Sequence, residues 1–246
     1  MHHHLPSPDA PSRLSFAGQA RQIAPLMIPL LMGRRFLLLL AAVLIVASGL
    51  AGLDLAYRYA EVYDILLPPQ FSLSEEQGLG ERLEYALTAS LALVMALRYW
   101  RHRIAACAFV ALVFAWLTVE NVLAIHEAAG RLIAPLFPRP AGSALHSADL
   151  GEFAFLCLSG AAIFAGLVVT LQRSRWSDLP TYLVLACVPA AAVFGVGVDL
   201  IHSTLLDSSV AISQGAAFVE DFGELLMLCL AWALAFGIPP IGRAAA

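Results

Sequence analysis

Apolar residues occur along the chain in long, nearly uncharged runs, each long enough to cross a hydrocarbon core that needs about 20 helical residues. Because a backbone in lipid must satisfy its own hydrogen bonds, such runs have to be helices or closed barrels. Barrel strands would alternate between apolar and polar positions over about ten residues, and these runs do not. The pattern therefore predicts an all-α, polytopic membrane helix bundle.

Six of these runs are long enough to be transmembrane spans. We place them at approximately 36–53, 80–97, 104–128, 148–171, 180–206 and 214–237. Pro189 predicts a kink in the fifth span. A cleaved signal peptide is the alternative for the first run, because small residues occur at Ala47, Ser48 and Gly49. The polar leader of over thirty residues that precedes this run favours an uncleaved helix.

The domain organisation predicted from this pattern is simple. Residues 1–35 form a polar N-terminal tail with a short interfacial segment, residues 36–240 form the bundle, and residues 241–246 form a C-terminal tail. No loop is long enough for a separate soluble domain.

Composition supports a membrane protein. The chain is 60% hydrophobic and 13% charged, whereas a soluble domain is about 25% charged. The net charge of −4 argues against nucleic acid as a partner. The predicted partners are the lipid bilayer and the other membrane proteins of a complex. The four cysteines fall in four different runs without a C-x-x-C spacing, which predicts free thiols.

Arginine placement predicts the orientation of the spans. One side of the membrane receives Arg34, Arg35, Arg98, Arg101, Arg103, Arg173, Arg175 and Arg243. The opposite loops receive only Arg58, Arg82, Arg131 and Arg139. Both termini are therefore predicted to be cytoplasmic, and for a bacterial chain in the inner membrane the other face is periplasmic.

Ionisable residues cluster at the outer ends of the last four spans. They are Glu120, His126 and Glu127 on the third, Asp149 and Glu152 on the fourth, Asp199 and His202 on the fifth, and Glu220, Asp221 and Glu224 on the sixth. Charged groups at membrane depth are costly and usually face a cavity or one another. Glu120 and Glu127 lie on one stripe of a helix, whereas His126 points away from it. These three groups can therefore meet only if the end of the third span unwinds.

A short sequence motif is repeated within the cluster. The motif D-x-G-E occurs at 149–152 and again at 221–224, and in each case an Ile-His pair occurs in the preceding span, at 125–126 and 201–202. We interpret spans 3–4 and 5–6 as repeated hairpins related by a pseudo-two-fold axis along the membrane normal. Parallel repeats of this kind can form a site at their interface.

Imidazole and carboxylate groups together suit Zn, Fe or Mn, so the cluster predicts a divalent metal site. The candidate ligands are His126, Glu127, Asp149, Glu152, Asp199, His202, Glu220, Asp221 and Glu224. Glu120 is the candidate catalytic residue, as a general base acting on metal-bound water in a metal-dependent membrane enzyme.

Other interpretations stay open at this point. Intramembrane carboxylates and histidines also serve proton- or cation-coupled transporters, and the polar end could contact partners if the chain is a non-catalytic subunit of a larger membrane complex. Asp149 and Glu152 also form a capping box. Asp199 and His202 could be hydrogen-bonded only to each other and serve to pack the fifth span against the sixth. Asp54, Glu81 and Glu84 are placed in the outer membrane interface.

Overall fold

The structure is a computed structural model that describes residues 28–29, 31–137, 147–172, 174, 178–198, 201 and 210–238. Over these ranges the chain is helical and contains no β-strand, which confirms the predicted all-α class. The four cysteines are free thiols, also as predicted. Most of the N-terminal tail and all of the C-terminal tail lie outside the described residues.

Seven α-helices follow one another along the described chain. They are α1 (Arg34–Val62), α2 (Leu79–His102), α3 (Ala105–Val122), α4 (Ile125–Ile133), α5 (Ser147–Leu171), α6 (Leu179–Ala192) and α7 (Val210–Gly237). Short 3-10 turns occur at Pro69–Phe71 and Ala134–Leu136, and α6 continues as a π-helix over Val193–Val198.

Four segments in the described chain are long and apolar enough to cross a membrane: Arg34–Val62, Ala105–Val122, Leu150–Leu171 and Leu179–Val198. They are compatible with a multi-pass membrane protein. Helices α2 and α7 are long as well, but α7 carries three acidic residues between 220 and 224, near its middle. The count of six spans therefore stays a prediction.

Helix α7 lies at the centre of the packing. It contacts α1, α2 and α6, while α2 also pairs with α3, and α4 pairs with α5. Leu91 and Met95 of α2, Phe114 of α3 and Leu225 of α7 are fully buried in the shared core. The polar residues in the first half of α7 are consequently brought against α1 and α2.

The contacts define two ends of the bundle. At one end Gly237 lies against Phe36 and Arg98 donates hydrogen bonds to the carbonyls of Ala235 and Ile238. At the other end Arg58 bonds to Gln214. Phe36 and Arg58 are about 33 Å apart along α1, close to the thickness of a hydrocarbon core of about 30 Å.

We call the first end, which carries Arg34, Arg35, Arg98, Arg101 and Arg103, the arginine end. The opposite end carries Asp54, Glu81, Glu84, Glu120 and Glu224, and we call it the acidic end. The helices thus gather most of the described arginines at one end and these carboxylates at the other.

The predicted third span is two helices. The prediction of a single helix over 104–128 is wrong near its end. Helix α3 ends at Val122, Ala124 adopts a left-handed conformation with φ 45°, and α4 begins at Ile125. The backbone N–H of His126, which would donate to Val122 in a continuous helix, instead donates to the Glu120 carboxylate. The chain thus unwinds between Glu120 and His126, which is the condition under which these two groups could meet.

Helix α6 changes its winding near the acidic end. Pro189 lies inside the helix, where it removes one backbone donor from the hydrogen-bond ladder. The helix then widens to a π-helix at Val193–Val198. The predicted fifth span reached residue 206, and its last part, which includes Asp199 and His202, lies outside the described residues except for Ile201.

Candidate functional site

The first polar cluster at the acidic end is organised around Arg58. The sequence predicted a loop here, which is wrong, because α1 runs on to Val62. Arg58 Nε donates to Asp54 Oδ2 at 2.6 Å, one helical turn earlier, and this i, i+4 ion pair supports the helix. Asp54 is completely buried and Arg58 is 7% exposed.

All five N–H donors of the Arg58 guanidinium have acceptors. Besides the bond to Asp54, NH1 donates to the side-chain and backbone oxygens of Gln214 at 2.7 and 3.3 Å. NH2 donates to Ser74 Oγ at 3.0 Å and to Asp221 Oδ2 at 2.9 Å. The second oxygen of Asp54 accepts the Leu73 N–H at 2.8 Å. Two carboxylates and one guanidinium thus form a closed network, which we call the Arg58 network, and it includes the predicted metal ligand Asp221.

The second cluster is a cleft of about 520 Å³ between α2, the α3–α4 junction and α7. We call it the acidic cleft. Its charged lining consists of five carboxylates, one guanidinium and one imidazole: Glu76, Glu81, Glu84, Glu127, Glu224, Arg82 and His126. Tyr85 and Asn121 add neutral polar groups. The carboxylates outnumber the single guanidinium by four in this cleft, whereas in the Arg58 network they outnumber it by one.

His126 enters the cleft in a fixed orientation. Its Nδ1 lies 2.5 Å from Glu120 Oε1, and its backbone N–H donates to the same oxygen at 3.3 Å. Glu120 is 4% exposed, whereas the His126 side chain is 31% exposed. The bond to Glu120 occupies Nδ1, so Nε2 is the ring nitrogen that remains for a further ligand.

Charge around the imidazole favours its protonated form. The hydrogen bond to Glu120 raises the pKa of His126 above 6.5, burial works in the opposite direction, and the charges of Glu120, Glu152 and Glu127 raise it further. His126 lies in α4, outside the four apolar segments, where water reaches one side of the ring. The pair is therefore suited to hold a proton or to bind a cation in its place.

Glu224 reaches the cleft past a glycine of the π-helix. A Cβ atom at Gly195 would overlap the carboxylate oxygen Oε1 of Glu224, whereas a Cβ at Gly197 would meet nothing within 4 Å. Gly195 therefore makes room for the carboxylate. π-helical turns often occur at functional positions in helices, and here the widened turn shapes one wall of the site.

The remaining predicted ligands have different positions. Glu127 pairs with Arg131 at 3.1 Å on the exposed side of α4. Glu152 lies at the crossing of α4 and α5, where its side chain packs against Gly130. Asp149 lies on the first turn of α5 and Glu220 on α7, half-buried, next to Asp221. Asp199 and His202 lie outside the described residues.

The echoed D-x-G-E motifs share one local feature. In the first copy Gly151 lies directly against the backbone of Gly130, and in the second copy Gly223 lies against the ring of Phe194. Each motif glycine thus lets its helix approach the preceding helix closely. The repeat of whole hairpins stays a prediction.

Two cleft residues that the sequence assigned to the membrane interface, Glu81 and Glu84, belong to the candidate site. Both lie in the first two turns of α2, and the orientation of the spans already placed them at the acidic end. What the sequence did not reveal is that α2 packs against α7, which brings Glu84 to the same cleft as Glu224.

Among the described residues, no three His, Cys, Asp or Glu side chains converge in a geometry that would hold a metal ion. Comparisons with protein-family models, with curated proteins and with solved structures find no match. The side chains of the cleft themselves provide a cluster of carboxylates and an imidazole oriented by a buried glutamate.

Proposed function

We propose that this protein is an integral membrane protein whose acidic cleft binds a divalent cation, with Zn, Fe and Mn as the candidate ions. The observation that supports the proposal is the charge imbalance of the cleft, in which five carboxylates, one of them paired with Arg131, face one guanidinium next to an oriented histidine. Like charges that share a partly buried site repel one another, and a bound divalent cation would remove that repulsion.

His126 is the first proposed ligand. Histidines that bind metals almost always donate their other ring N–H to a carboxylate or carbonyl, which fixes the tautomer and the ring orientation. Glu120 provides this partner at Nδ1, which leaves Nε2 for the ion. Glu120, predicted from sequence as a general base, is on this proposal a positioning residue that acts through His126.

Glu84 and Glu224 are the proposed carboxylate ligands, since they approach the cleft from α2 and α7. Glu127 is a third candidate, because its pairing with the exposed Arg131 is worth little in water. Glutamate side chains are long and flexible, so these carboxylates can turn toward a common ion without movement of their helices.

A bound ion would give the cleft a chemistry of its own. Water on a divalent ion becomes acidic near neutral pH, and a neighbouring glutamate can accept its proton. These are the requirements of a metal-dependent membrane hydrolase, which is the class of enzyme that we propose if binding is accompanied by activity.

Elemental analysis of the purified protein after equilibration with Zn²⁺, Mn²⁺ or anaerobic Fe²⁺ tests the proposal. We expect bound metal in the wild type, and at least tenfold weaker binding in Glu84→Gln and Glu224→Gln, as is typical when ligands or their supports are changed. Glu75→Gln is the matched control, because Glu75 lines a separate pocket beside Arg58. Metal at background level in the wild type, or equal loss in the control, would refute the proposal.

A further inference from the structure

The arginine end contains a groove that the proposed cation site does not explain. One part, of about 550 Å³, is lined by Arg34, Arg35, Leu38, Leu39 and Phe236. A second part, of about 290 Å³, shares Arg35 and Phe236 and adds Leu97, Arg98 and Arg101 of α2. Together they form a continuous surface between α1, α2 and the end of α7, which we call the arginine groove.

The rim of the arginine groove is positively charged, and the described residues provide no counter-charge to it. Arg34, Arg35 and Arg101 are exposed, and within the described residues no carboxylate forms an ion pair with them. The sequence contains no Asp or Glu at 10–53, 85–119 or 225–246. Asp178, an acidic residue at this end just before α6, is buried. The rim is therefore available to an external anion.

The floor of the groove is apolar. Leu38 is 58% exposed and Leu97 is 56% exposed, and each lies about one helical turn from an arginine of the same helix. Gly237 packs against the backbone of Phe36, and this close approach of α7 to α1 places the Phe236 ring in the groove. A soluble anion would leave this apolar floor exposed, whereas an amphiphile would cover it.

Aromatic residues indicate the depth of the rim in the membrane. The Arg103 guanidinium lies 5.7 Å from the Tyr99 ring centroid and 5.5 Å from that of Trp100, and Trp100 is 73% exposed. Exposed tryptophan and tyrosine mark the level of the lipid headgroups. The guanidinium group of Arg101, on the same turn of α2, therefore lies at the level of lipid phosphates, and Arg35 of α1 lines the same part of the groove.

We propose that the arginine groove binds one anionic phospholipid. Arg35 and Arg101 hold the phosphate from two sides, a role suited to the planar fork of the guanidinium group. The acyl chains lie along Leu38, Leu39 and Leu97 against the Phe236 ring. Basic pockets between membrane helices recognise anionic headgroups in this way, and Arg98, engaged with the carbonyls that end α7, holds the third helix in place.

Native mass spectrometry of delipidated protein tests this binding. Phosphatidylglycerol is added at rising concentration, and phosphatidylcholine with the same acyl chains is added in a parallel series. We expect a saturable single adduct with phosphatidylglycerol and at least tenfold weaker binding of phosphatidylcholine. The double variant Arg35→Gln/Arg101→Gln is expected to weaken phosphatidylglycerol binding roughly thirtyfold.

Two controls make the result decisive. The first control, Arg82→Gln/Arg131→Gln, also removes two positive charges, but from the acidic end, and should leave lipid binding unchanged. The second, Arg101→Gln alone, alters a single exposed side chain, so that folding is preserved. Equal binding of the two lipids, or an equal loss in the acidic-end variant, would overturn the proposal. Competition by headgroup-only glycerophosphoglycerol as strong as that by the intact lipid would also overturn it, in favour of a simple phosphate site.

Discussion

The Arg58 network and the acidic cleft lie at the same end of the bundle and use the same kinds of side chain in opposite ways. In the network every guanidinium donor has an acceptor, and two carboxylates surround one cation. In the cleft five carboxylates share one guanidinium and one imidazole. Satisfied polar networks fix a structure, whereas an unbalanced cluster is costly unless something binds to it.

The difference indicates which cluster serves the fold and which is available for function. Asp221 and Glu224 lie within a single turn of α7 but belong to different clusters: Asp221 pairs with Arg58, and Glu224 lines the cleft. Neutralising a group should therefore have opposite consequences in the two clusters, and the experiments below are chosen to expose that contrast.

The largest effect is expected for Arg58→Met. The change removes the guanidinium that pairs with the fully buried Asp54, and an uncompensated buried charge costs about 3–5 kcal/mol. Unfolding monitored in detergent should show this loss of stability. Arg34→Met, which removes an exposed arginine at the arginine end, should change stability by no more than about 0.5 kcal/mol. Equal stability of Arg58→Met and the wild type would contradict a structural role for the network.

Gly195→Ala should separate site geometry from stability. The new methyl group would displace the Glu224 carboxylate, the flexible end of a side chain, so we expect cation affinity to fall about tenfold while the unfolding midpoint changes little. Gly197→Ala, two residues along the same π-helix and facing open space, should preserve affinity. If both alanines had the same effect on cation binding, Glu224 would not be a ligand.

Glu84→Gln should stabilise the cation-free protein by about 1 kcal/mol, because it relieves repulsion in the cleft, a frequent result when functional charges are removed. Asp54→Asn should destabilise the protein instead. Chemical unfolding of both variants in metal-free buffer measures the two signs. A loss of stability in Glu84→Gln as large as that in Asp54→Asn would mean that the cleft is as closed a network as the one around Arg58.

The smallest effect concerns pH. The pKa of His126 is raised in the folded protein, chiefly by its hydrogen bond to Glu120. The pair therefore contributes its full stabilisation below the unfolded pKa of 6.5, and the contribution is lost as pH rises through the higher folded pKa. The thermal unfolding midpoint of the wild type should therefore decline as the pH is raised from about 5.5 to about 8.5.

Glu120→Gln should flatten that decline, and His102→Gln, which changes an exposed histidine at the arginine end, should preserve it. A decline of the same slope in Glu120→Gln would assign the pH dependence to another group.

The sequence predicted the parts of this structure that depend on local pattern. Long apolar runs indicated the helices, and helix geometry indicated that Glu120, His126 and Glu127 could meet only if the third span unwound. The structure breaks that span at Leu123 and Ala124. Arginine counts separated the two ends of the bundle. Each of these inferences needs only neighbours along the chain.

The parts that the sequence did not reveal depend on pairings between distant segments. Arg58 was placed in a loop because its acceptors on α7, Gln214 and Asp221, lie far away in sequence. Glu84 was left at the interface for the same reason, since nothing in α2 shows that it packs on α7. A single sequence does not specify which of several amphiphilic helices meet, and the candidate site is formed where two of them do.

The Arg58 network also bears on how the chain is assembled. Its acceptors Gln214 and Asp221 are 156 and 163 residues further along, so the ribosome completes α1 long before α7 exists. During that interval Arg58 can pair with Asp54 within α1. Water must accept the hydrogen bonds that Gln214 and Asp221 accept in the complete fold. Docking of α7 replaces that water with Gln214 and Asp221, so the complete network can form only after α7 has been synthesised.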